Sequence, residues 1–138
     1  MSHFEIFGLY LVLYLILLLV LLFGVIRIRF SGGISVGDGG RSDLLNASRA
    51  HGNFIENAPF VLFGMVSMMQ LGTSSLMLHV VGATFLVARI LHGWGITREN
   101  NANKARQIGT LLTLLVYLIL IVTLVVLLIQ SRGSYGVG

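Results

Sequence analysis

The stretch Ile6-Phe-Gly-Leu-Tyr-Leu-Val-Leu-Tyr-Leu-Ile-Leu-Leu-Leu-Val-Leu-Leu-Phe-Gly-Val-Ile26 contains no charged residue. At about 1.5 Å of rise per residue, a helix of this length crosses a hydrocarbon core of about 30 Å. A cleaved leader would need a basic start and a small-residue cleavage signal. Here Glu5 precedes the run and Arg27 follows it, so the stretch reads as a retained first transmembrane helix. The whole composition agrees, with 56% hydrophobic and only 10% charged residues in 138, far from the quarter charged of soluble domains. The chain therefore reads as one membrane domain, 1–138.

Outward from this helix, Gly32, Gly33, Gly37, Gly39 and Gly40 surround Asp38. The segment has no Lys-Ser/Thr ending and follows no strand, so a tight connection is a better reading than a phosphate loop. Ser42 or Asp43 then offers an N-cap for a second helix. Pro59 inside that helix cannot donate to the carbonyl of Ile55, and a kink or defect is expected just past Glu56. Thr73 or Ser74 can cap a third helix, and Asn100, Asn101 and Asn103 fall in the turn before a fourth. The helices are expected at about 4–27, 43–71, 74–96 and 104–130, giving an all-α, integral membrane four-helix bundle.

Eight of the nine Lys and Arg residues fall on one side of that arrangement, and only Arg132 on the other. The positive-inside rule makes the basic side cytoplasmic, with both termini outside. No basic tract is interleaved with aromatics, which argues against nucleic acid as a partner. No cysteine is present, so a disulfide scaffold and a protein thiol nucleophile are excluded. His79 stands alone, and no metal site is expected. Tyr10 and Tyr14, and Met65, Met68 and Met69, read as packing residues.

The functional signal lies in Arg49-Ala-His-Gly-Asn-Phe-Ile-Glu-Asn-Ala-Pro-Phe60. Arg49, Asn53 and Glu56, at i, i+4 and i+7, share one helix face at the entrance to an apolar segment. Charges carried into a membrane helix normally meet a partner, a cavity or a ligand. Arg49 stands about two turns from Glu56 and cannot neutralise it, so another helix, subunit or ligand must. Arg89 and His92, at i and i+3, and Arg27 fall at the same membrane level. On the fourth helix Arg106, Thr110, Thr113 and Tyr117 form a polar stripe headed by the arginine. A basic pocket holding one carboxylate suits a small zwitterion that is net negative; an interhelical ion network without a ligand is the alternative.

The run Arg49-Ala-His-x-Asn53-x-x-Glu56-Asn-x-Pro59-Phe, with Arg89-x-x-His92 and Arg106, resembles the membrane-associated proteins in eicosanoid and glutathione metabolism, the MAPEG family. The glycine loop and Gly109 look most like its small bacterial members. The resemblance implies a homotrimer in a bacterial inner membrane with glutathione as co-substrate, bound between subunits near the cytoplasmic face. Arg49, Asn53, Glu56, Arg89 and His92 would hold the tripeptide, Arg27 would reach in from a neighbouring subunit, and Arg106 would lie by the sulfur as the catalytic residue. The implied activity is that of a glutathione transferase or peroxidase acting on a hydrophobic electrophile. One branch of the family only binds lipid, so a non-catalytic lipid-binding or scaffolding protein is the alternative. A small multidrug transporter fits less well, since its coupling carboxylate belongs in the middle of the first helix and only Glu5, at the end, is available here.

Overall fold

In a computed structural model, which describes residues 1–98 and 104–135, the chain forms α1 (His3–Gly32), α2 (Ser42–Gln70), α3 (Ser75–Ile96) and α4 (Lys104–Tyr135). Asn100, Asn101 and Asn103 lie outside the described residues. α1 starts on a capping box: the Ser2 hydroxyl accepts from the Glu5 amide at 3.2 Å, and the Ser2 amide donates to Glu5 Oε2 at 2.6 Å. It runs through Arg27 and Arg29 to Gly32, and Gly33 closes it at φ 62°, a conformation suited to glycine. The glycine loop is indeed a tight connection. A Cβ on Gly39 would sit 2.7 Å from Ile34 Cδ1, so the Ile34 side chain packs up against the glycine.

The start of α2 differs from the expected cap. Arg41 occupies the N-cap position without a side-chain cap, because the Asp43 carboxylate is taken by the Arg41 guanidinium at 2.7 Å and by the Leu44 amide at 2.8 Å. α2 continues through Pro59 as one helix. Ser74 caps α3, accepting from the Met77 amide at 3.3 Å.

Tyr10 and Tyr14 of α1 meet His79 and Gly82 of α3 in the same chain order, so α1 and α3 are parallel. Asn57 of α2 meets Tyr117 of α4, while Arg89 of α3 meets both Gly109 and Thr113 of α4. The bundle is therefore up-down-up-down. α2 and α3 touch each other along the middle, α1 packs on both, α4 packs on both, and α1 and α4 do not meet. The core draws Tyr14 from α1, Val61, Met65 and Met68 from α2, Leu78 and Phe85 from α3 and Val116 from α4. Tyr14 does more than pack: its hydroxyl donates to the Gly82 carbonyl at 2.9 Å. Tyr10 likewise sets its hydroxyl 2.9 Å from His79 Nδ1, so the lone histidine is a packing partner.

Outside this core the surface is apolar, with Phe23, Phe63, Leu111 and Ile121 all exposed, as a hydrocarbon solvent requires. α1, α3 and α4 are long and apolar enough to span a membrane by themselves. α2 is not, because its first half carries Arg49, Asn53 and Glu56. It spans as the fourth helix because the parallel α1 and α3 require a return crossing between them. At 29 residues it is long enough to make one.

Candidate functional site

Two glycines set the geometry of the basic end. A Cβ on Gly109 would lie 2.6 Å from the Ala88 carbonyl oxygen and 2.7 Å from the His92 amide, and one on Gly95 would lie 2.5 Å from the Arg106 amide. Backbone stands in both places, so only glycine lets α3 and α4 approach this closely. The contact fixes the first turn of α4 beside the last turns of α3, with α2 across from both. Between them opens a cleft of about 490 Å³, walled by Arg49, Asn53 and Glu56 from α2, His92 and Ile96 from α3 and Arg106 from α4.

Five of the seven expected site residues thus converge. Arg49, Glu56 and Arg106 are exposed on the single chain, and His92 is buried at the cleft wall. Glu56 enters no ion pair; the one ion pair among the described residues is Arg41 with Asp43. The cleft face carries more positive than negative charge, and its carboxylate is left for a ligand or a second chain.

Arg89 and Arg27 are placed differently. Arg89, only 4% exposed, does not line the cleft. Its guanidinium donates to Asn53 Oδ1 on α2, to Thr113 Oγ1 on α4 and, at 3.2 Å, to the Gly109 carbonyl, and it stands 5.5 Å from the Phe85 ring centre. It ties three helices together behind the cleft, with Nε buried and without an acceptor among the described residues. Asn53 has given its oxygen to this tie, so its amide Nδ2 is what it can offer a ligand. Arg27 is exposed on α1, which does not touch α4, and the cleft of a single chain does not include it.

The polar stripe of α4 divides by depth. Arg106 lines the cleft, and the exposed Thr110 bonds back to the Arg106 carbonyl at 3.0 Å. Thr113 is buried and Tyr117 donates to Asn57 Oδ1 at 2.7 Å, so these two join helices. Asn57 also donates to the Asn53 carbonyl at 2.7 Å. Sequence reasoning missed Asn57 as part of this network; its position one residue after Glu56 and four after Asn53 was the available signal. No grouping of three or more His, Asp or Glu suited to a metal occurs among the described residues.

Chemically, the cleft combines always-charged guanidinium groups, one unpaired carboxylate and amide and imidazole donors at the margin of an apolar phase. That set can bind the ends of a zwitterion and stabilise a developing anion. No solved structure matches the chain. It is 35% identical over 88 residues, covering 64% of this chain and 67% of the relative, to the inner membrane protein YecN of Escherichia coli strain K12. The same figures hold for the YecN protein of Escherichia coli O6:H1. The MAPEG family model matches residues 7–126, nearly all of an apolar four-helix chain. The protein is an integral membrane protein and belongs to the MAPEG family.

Proposed function

We propose that this protein binds glutathione in the α2–α4 cleft and activates its thiol toward hydrophobic electrophiles that partition from the bilayer, as a transferase or peroxidase. The observation that carries this reading is the gathering of Arg49, Asn53, Glu56, His92 and Arg106 around one cleft whose carboxylate has no ion-pair partner among the described residues. Glutathione has two carboxylates and one ammonium, which suit the arginines and Glu56 respectively. Arg89 works from behind, holding the Asn53 side chain in place. The cleft lies open on the face of one chain, so a second copy, in a homotrimer as the family resemblance implies, would close it and bring Arg27 within reach.

In this reading the thiol loses its proton to water and the sulfur forms a bond to the electrophilic carbon. The electron pair leaves with the departing group or moves into the acceptor, which then takes up a proton. A free thiol with a pKa of about 8.5 is mostly protonated at neutral pH, and each factor of ten in thiolate requires about 1.4 kcal/mol. A desolvated Arg106 guanidinium can supply about one to two such factors. Arg106→Leu is expected to raise the thiol pKa of bound glutathione by about one to two and to slow turnover of a model electrophile. It is expected to leave affinity for S-alkylated glutathione, which has no ionisable sulfur, nearly intact. Ultraviolet titration of the bound thiolate in parent and variant is the measurement; coincident curves would remove Arg106 from the mechanism.

The relatives' names support a bacterial inner membrane, and the basic end of the bundle supports a reading with the cleft on the cytoplasmic side and both termini outside. With an impermeant thiol reagent on intact cells, a cysteine at Ser2 is expected to label and one at Gly37 not to. The reverse pattern would invert the orientation.

A further inference from the structure

Most glycines in the middle of the helices are accounted for by the chain itself. A Cβ on Gly64, Gly82, Gly95 or Gly109 would run into Leu120, Tyr10, Arg106 or His92 of a facing helix. Gly52 is different. It lies in the interior of α2, where glycine is less favourable than alanine because its backbone loses more freedom on folding. Yet a Cβ built on Gly52 meets nothing within 4 Å. What the position faces is the cleft, whose wall it shares with Arg49, Asn53 and Glu56. No described atom of its own chain requires a bare helix surface there, so the bareness serves what enters the cleft.

Helix geometry says which part of a ligand would lie against it. Position 52 falls between Arg49 and Glu56, one turn from each and on the same side of α2. Cα–Cβ bonds of a helix tilt toward its N-terminus, so a side chain at 52 would lean toward Arg49. If Glu56 takes the ammonium of the γ-glutamyl residue of glutathione, the carboxylate on that same carbon stays beside it. The glycyl carboxylate is then the one able to reach Arg49, about 10 Å away along the helix. Its path crosses position 52. We propose that Gly52 is a specificity residue of the cleft, keeping α2 bare beneath the glycyl end of the tripeptide so that this end can reach Arg49. A neighbouring copy that brings Arg27 covers the cleft from outside, over the ligand. The inference rests on the glutathione reading and adds to it where the ligand lies and which of its residues is selected.

The test is calorimetry on the full-length protein in mild detergent with two probes, S-alkylated glutathione and S-alkylated γ-glutamylcysteine, which lacks the glycine. The parent is expected to bind the tripeptide about tenfold or more tighter, since only the tripeptide reaches Arg49. Gly52→Ala is expected to weaken the tripeptide by about five- to a hundredfold, the range of an overpacked contact, and the dipeptide by less than about twofold. Gly8→Ala is the control, since that position is also open but lies on α1 outside the cleft, and it is expected to change neither. Particle mass is expected to stay the same in Gly52→Ala, and its unfolding midpoint not to fall, because alanine suits a helix better. Equal loss of both probes would overturn the proposal by showing a general disturbance, as would the same loss in Gly8→Ala. A changed particle mass would overturn it by assigning Gly52 to the contact between copies. A parent that binds neither probe would sink the glutathione reading and this inference with it. Tripeptide binding by Gly52→Ala as tight as the parent's would remove this inference alone and leave that reading standing.

Discussion

Arg89→Ala is expected to lower the stability of the folded bundle by about 3 kcal/mol, and Arg89→Met by about half as much. Among the described residues the guanidinium is the one side-chain group whose hydrogen bonds join α2, α3 and α4 at a single point. Interhelical hydrogen bonds in membranes are worth about 0.6 to 2 kcal/mol each. The full sum is not lost, because Thr113 keeps its own bond to the Gly109 carbonyl at 2.8 Å. What remains exposed to cost is Asn53 Oδ1, left without its donor in a partly buried position, together with the volume of a long side chain. Methionine restores most of the volume and none of the hydrogen bonds, so the two variants separate packing from polar ties. Unfolding in mixed micelles, followed by circular dichroism, gives both values. A methionine variant as stable as the parent would show that the guanidinium does not hold the helices, and its charge would then have to be explained by the ligand alone.

The same residue shows where the sequence could be read and where it could not. Uncharged runs longer than a bilayer is thick dictate helices whatever their neighbours, so α1 and α4 were plain from composition. The level of Arg49, Glu56, His92 and Arg106 also followed from helix order, because short connections force alternate directions. Depth within the bundle did not follow. Arg89 and His92 share a face at i and i+3, yet one reaches inward to three oxygens and the other lines the cleft. That division depends on how closely α4 approaches α3, which Gly95 and Gly109 decide only once it is known which backbone each faces. The stripe from Arg106 to Tyr117 is one helix face in two environments: the cleft occupies its first turn, while Thr113 meets Arg89 of α3 and Tyr117 meets Asn57 of α2. The missed cap at Arg41 is a local competition, since the Asp43 carboxylate is held by a guanidinium two residues away and by the adjacent Leu44 amide and does not cap the helix start.

Glu56→Gln and Arg49→Ala are expected to weaken binding of S-alkylated glutathione by about 2 to 5 kcal/mol, roughly thirtyfold to several-thousandfold. The magnitude carries the information. Both side chains are exposed on the single chain, and an exposed ion pair is worth only about 0 to 1 kcal/mol, because water and salt screen it. A loss of two or more therefore requires that the cleft be covered when the ligand is in place. The apolar exterior of α1 and α4 leaves lipid or a second protein surface as the cover, and the hydrocarbon of a lipid cannot supply hydrogen bonds to a peptide ligand. A neighbouring copy can, and Arg27, exposed on α1 and remote from its own chain's cleft, is placed to be shared. Calorimetry on parent, Glu56→Gln, Arg49→Ala and Arg27→Ala, with the particle mass determined in the same mild detergent, tests both halves together. The expected result is an oligomer in which all three substitutions cost affinity, with Arg27→Ala acting across the boundary. If the protein is a monomer that binds the ligand, or if Glu56→Gln costs less than about twofold, an effect of the size expected of an exposed pair, the site is an open cleft of one chain and the shared arrangement is wrong.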